Sequence, residues 1–104
     1  MSDNEIEKEI QTKGLTAPRV TSEDIEANIV DTEIVKHVSK SGQILRWAVL
    51  TLQNGFAATG KPSVAASPEN DVPEKGINIA IANAKEELWP LMGYALKEKL
   101  NESK

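Results

Sequence analysis

The sequence predicts an α+β fold. A small antiparallel sheet is built on a β-hairpin at about residues 44–53 and 56–62. It packs against short N-terminal helices and one long, Pro-kinked C-terminal helix over about residues 72–101. Two observations carry this expectation. Asn54-Gly55 stands between two apolar, β-prone runs, Arg46 to Gln53 and Phe56 to Gly60, and Asn-Gly is the strongest short-range hairpin signal. Beyond Ser67-Pro68-Glu69-Asn70, small or apolar residues recur at Ile77, Ile81, Ala84, Leu88, Leu91 and Ala95, alternately four and three apart, as one face of a helix requires. The 104 residues make a single domain with one core.

The elements follow in order. Ser2 and Glu5 suit a helix start, Ile6 and Ile10 share a face, and Gly14 suits a stop. Residues 3–13 are therefore expected to form a marginal helix that orders only on docking. Residues 14–20, with Pro18, are a connector. Thr21 offers an N-cap with Asp24 three residues on, and Ile25 and Ile29 line a short helix ending near Val30. Residues 33–39 are β-branched enough for a strand, and Ser41-Gly42 is a turn signal. A two-residue type I′ turn at Asn54-Gly55 would pair Gln53 with Phe56, Leu52 with Ala57, Leu50 with Thr59 and Val49 with Gly60. Ala48, Leu50, Leu52 and Ala57 then share one face, and Trp47, Val49, Phe56 and Ala58 the other. Pro62 cannot donate to a ladder and ends the strand or marks an edge.

The long helix is expected to begin with Asp71 as cap, Pro73 in the first turn and Glu74 completing an Asp-x-x-Glu box. A second apolar stripe runs Trp89, Met92, Leu96 and Leu100. Pro90 removes the hydrogen bond to the Glu86 carbonyl and is expected to kink the helix or divide it.

Composition narrows the function classes. A net charge of −4 and a pI near 5.0 argue against nucleic acid as a partner. The absence of cysteine removes disulfides and thiol chemistry and fits a reducing cytoplasm. The acidic stretch from Met1 to Glu9 lacks the basic-then-apolar pattern of a signal peptide, and no apolar run reaches the roughly 20 residues a membrane helix needs. A soluble, intracellular protein is expected.

No motif unites a nucleophile, a base and oxyanion donors, so no enzymatic activity, cofactor or metal is expected. His37 is the sole histidine, and a lone strand histidine reads as a surface or edge residue. Glu69, Asp71 and Glu74 lack the alternating oxygen ligands of a calcium loop, and a helix N-terminus explains them more simply. Trp47 beside Arg46 reads as a core tryptophan before it reads as a base-stacking platform. Trp89, Met92, Tyr94, Leu96 and Trp47 are candidate interface or ligand residues, because Trp and Tyr anchor interfaces. Glu69 and Asn70 form a polar loop that could contact a ligand or partner.

The chain resembles a small tailed-phage protein family named after phage N4 gene 49 and phage Sf6 gene 66. The resemblance rests on Lys13-Gly14-Leu15, Ala17 to Thr21, Asp24-Ile25-Glu26, the Leu50 to Phe56 segment, Gly60, Ser67-Pro68-Glu69-Asn70, Gly76, Ala80, Asn83-Ala84, Leu88-Trp89-Pro90 and Gly93-Tyr94. It implies a phage or prophage accessory protein made in the host bacterial cytoplasm, in a family without an assigned activity. The chain departs from the family pattern at Ala48, where members often carry cysteine, and at Asp71-Val72, where an aromatic follows the Pro-Glu-Asn element. Neither position then carries a function shared across the family.

Two function classes remain. The first is a homodimer or higher oligomer that binds a host or phage protein, associating through the apolar surplus of the hairpin and terminal helix. The second is a binder that sequesters a small molecule, such as a nucleotide signal, in a pocket where subunits meet.

Overall fold

A computed structural model describes residues 17–103. The expected N-terminal helix over residues 3–13 lies outside the described residues. Helix α1 spans Ser22–Asn28 and runs directly into strand β1, Ile29–Val38. Strands β2 (Ile44–Leu52), β3 (Ala57–Thr59) and β4 (Ser63–Val64) follow, then a 3-10 turn at Pro68–Asn70 and helix α2, Pro73–Glu102. The sheet is antiparallel, with β2 at its centre: β1 lies on one side, and β3 and β4 lie end to end on the other.

Thr21 caps α1 as its sequence predicts. Its Oγ1 accepts from the Asp24 N–H at 3.1 Å, and Asp24 Oδ2 accepts from the Thr21 N–H at 2.9 Å. This reciprocal pair satisfies two amides that the first turn leaves open. The helix ends one residue before Ile29, which already belongs to β1. Strand β1 starts earlier than the β-branched run suggests and carries a bulge between Ile29 and Asp31. At Gly42, φ is +92°, which closes the β1–β2 loop.

The second hairpin corrects the expected register. Val49 pairs with Thr59, Leu50 with Ala58 and Thr51 with Ala57, one residue away from the two-residue-turn alignment. The loop is three residues long, Gln53-Asn54-Gly55, closed by Leu52 N–H donating to the Phe56 carbonyl at 2.9 Å. Only Gly55 has positive φ, +88°, so the type I′ conformation is not used. Asn54 instead accepts from the Phe56 N–H with its side chain at 2.9 Å, an Asx turn. Gln53 is drawn out of the hairpin by the end of α1. Its N–H donates to the Asn28 carbonyl at 3.0 Å and its Nε2 to the Ala27 carbonyl at 2.6 Å.

That shift settles the faces. Ala48, Leu50, Leu52 and Ala58 face α2, and Ala57 turns outward. The core consists of Ile25, Ala48, Leu50, Leu52, Ala80, Ala84 and Leu88. Its helical stripe is Ala80, Ala84 and Leu88, extended by the partly buried Met92, and Leu91 and Ala95 point away from it. Gly60 gives the reason. A Cβ there would collide with the backbone of Asn83 and Ala84, so sheet and helix approach too closely for anything but small side chains at 80 and 84. Helix α2 continues through Pro90 without ending.

Candidate functional site

Strand periodicity puts Arg46 on the same face as Ala48, Leu50 and Leu52, where it is 5% exposed. A guanidinium in that position requires a carboxylate. Asp71 supplies it: Arg46 Nη1 donates to Oδ1 at 2.6 Å and Nη2 to Oδ2 at 2.9 Å. These hydrogen bonds hold the Asp71 carboxyl below the usual carboxylate range and raise Arg46 further, while desolvation opposes both shifts. The nearby Lys36 adds to the lowering at Asp71.

This pairing corrects the expected cap. Asp71 is committed to Arg46, so Val72 stands at the start of α2 without a capping side chain. Ser63 completes the junction, its hydroxyl donating to the Gly76 carbonyl at 2.7 Å. At Gly76 a Cβ would come within 3.0 Å of Arg46 Nη1, so this glycine leaves room for the guanidinium.

The junction floors a shallow cleft of about 180 Å³ between β4, the 3-10 turn and the first turns of α2. Val64 and Ile79 bring apolar surface to it, and Asn70, Asp71 and Lys75 bring polar groups. A second, more open groove of about 330 Å³ lies between α1 and the far part of α2, with Asn28, Met92 and Leu96 in its lining. There Asn28 Nδ2 approaches the Met92 sulfur at 3.6 Å.

The residues singled out in sequence do not converge. Asn70 lines the first cleft, and Glu69 is exposed on the same turn. Met92 and Leu96 line the second groove. Trp89 is half-buried against the core, whereas Tyr94 is 70% exposed. Trp47 is half-buried on the opposite face of the sheet, paired with Val35. His37 is exposed on β1 opposite Leu45 and lines neither cavity. Among the described residues, no group of three or more His, Cys, Asp or Glu side chains is placed to hold a metal ion.

Lys75, Val64 and Ile79 were not singled out in sequence. Nothing in their spacing marks them, since β4 is only two residues long. The Arg46–Asp71 pair did leave a signal: a charge at the even position of a strand whose other even positions are apolar.

A model of the phage protein family described as N4 Gp49/phage Sf6 gene 66 matches residues 20–100, well over half of the chain. The chain belongs to this phage protein family. Comparison with curated proteins and with solved structures gave no match. Among the described residues, no helix is long and apolar enough to cross a membrane.

Proposed function

We propose that this phage-family protein is a non-catalytic binding protein that works as a homo-oligomer in the host cytoplasm and engages a host or phage protein. The supporting observation is the amount of apolar side chain left uncovered. Val30, Ile34, Val35 and Val38 are exposed along β1, and Ile79, Leu91, Tyr94 and Leu100 along α2. Contiguous apolar patches of more than a few hundred Å² are rare on monomers and mark interaction sites. Closed twofold assembly is the commonest way to cover them. Sedimentation at micromolar concentration should give a mass above 11.3 kDa. A single species at the monomer mass throughout that range overturns the proposal.

The cleft at the start of α2 favours a second reading, a binder of a small nucleotide-like molecule. Lys75 and the N-terminal end of a 30-residue helix are groups that suit an anion, while Val64 and Ile79 offer apolar surface for a ring. A second subunit would enclose a site this shallow. A nucleotide panel should then raise the melting temperature, and Lys75→Ala should remove the shift. A shift that persists in Lys75→Ala places the ligand elsewhere.

A further inference from the structure

We infer that β1 pairs with β1 of a second copy, antiparallel and about a twofold axis at Ile34 or Val35, to give one continuous sheet across the dimer. This rests on the self-association proposed above and names its surface. Strand β1 is ten residues long, contains no proline, and among the described residues is paired on one side only. Every second residue therefore points its N–H and C=O away from β2, an open template for another strand. The devices that protect this edge are one bulge and three charges, Asp31, Glu33 and Lys36. The bulge lies at the Ile29 end, leaving Asp31 to Val38 in regular register. Lys36 lies on the helix-facing side, opposite Arg46 and near Asp71.

The strand's own residues select the occupant. In a twofold antiparallel pair, one residue meets its own copy at the axis. An axis at Glu33 or Lys36 would oppose like charges, and an axis at Thr32 would set Asp31 against Glu33. An axis at Ile34 sets isoleucine on isoleucine and Asp31 opposite His37 of the partner subunit. An axis at Val35 sets valine on valine and Glu33 opposite His37 of the partner subunit. Both registers join apolar to apolar at the centre and carboxylate to imidazole toward the ends. One strand buries less than the roughly 800 Å² per partner of a standard interface, so the association should be reversible and concentration-dependent.

Complementary charges at the axis test this directly. Ile34→Asp and Ile34→Lys, each alone, place like charges together and should sediment at half the wild-type mass. Mixed in equal amounts they should restore it. The same two substitutions at Val35 cover the other register, and neither Ile34 nor Val35 belongs to the core cluster. Restoration at one of the two positions is the expected result. Restoration at neither, or wild-type mass in every separate variant, overturns the inference. In the wild type, outward-pointing β1 amides should gain hydrogen-exchange protection as concentration rises, and protection independent of concentration also overturns it. A wild type heavier than 11.3 kDa whose β1 variants keep that mass leaves self-association standing and moves its surface elsewhere. A wild type at the monomer mass removes both.

Discussion

On one side of β2 the sheet ends in β3 and β4, three and two residues long, separated by Gly60-Lys61-Pro62 and covered by α2. On the other it ends in β1, ten residues long, which α2 reaches only at its margin. The first edge is cut short, interrupted by proline and sealed by a helix, three recognised ways of preventing edge-to-edge pairing. Among the described residues, the second has no proline and no covering helix along most of its length, and it exposes Val30 at its bulge, Ile34 and Val38 on one face and Val35 on the other. A sheet that shields one edge and leaves the other open has an inside and an outside, and in this protein the outside is where recognition is expected.

The covered edge should be the more fragile. Gly60→Ala puts a methyl group into the backbone of Asn83 and Ala84, and the helix can yield only by lifting from Leu50 and Ala58. Overpacking of this kind costs about 1–3 kcal/mol. Urea denaturation followed by the fluorescence of Trp47 and Trp89 measures it. A wild-type midpoint would mean that helix and sheet are less closely joined at this point than the geometry describes.

The Arg46–Asp71 pair ties the same covered side to the start of α2, and its contribution should depend on pH. The folded-state pKa of Asp71 is depressed, so the pair's stabilisation is fully present above the unfolded aspartate value of about 3.9. It is lost as pH falls through the lower folded value. Asp71→Asn should therefore be destabilised relative to wild type near neutrality, and the difference should shrink in acid. A difference that stays constant from neutral to strongly acidic pH would mean that geometry, not charge, accounts for the loss.

What could be read in the sequence, and what could not, divides along physical lines. The Thr21 cap, the Gly42 turn and the place of the second hairpin are local, set by neighbouring residues, and they were legible. The hairpin register was not, because Asn-Gly suits a two-residue loop as well as a three-residue one. The choice falls to Gln53, held by Ala27 and Asn28 from a distant part of the chain. The role of Asp71 was misread for a similar reason. As a local residue it suits a helix cap, but a buried Arg46 on β2 competes for it and wins with two charge-assisted hydrogen bonds. The first cleft is assembled from β4, a 3-10 turn and α2, and of its lining the sequence marks Asn70 as a contact residue and Asp71 as a helix cap.

The open edge should show the smallest effect of all on the stability of a single chain. Val38 is 53% exposed at the end of β1, opposite Ile44, so Val38→Thr removes little buried surface and keeps a β-branched side chain in the strand. Surface changes of this kind usually stay within about 0.5 kcal/mol. Tryptophan fluorescence permits unfolding at low protein concentration, where paired strands separate, and there the variant and the wild type should have indistinguishable midpoints. At high concentration a gap should open, because the threonine hydroxyl then sits beside or within the pairing edge. A loss above about 1 kcal/mol already present at low concentration would mean that β1 packs against something within its own chain, and the contrast between the two edges would fail.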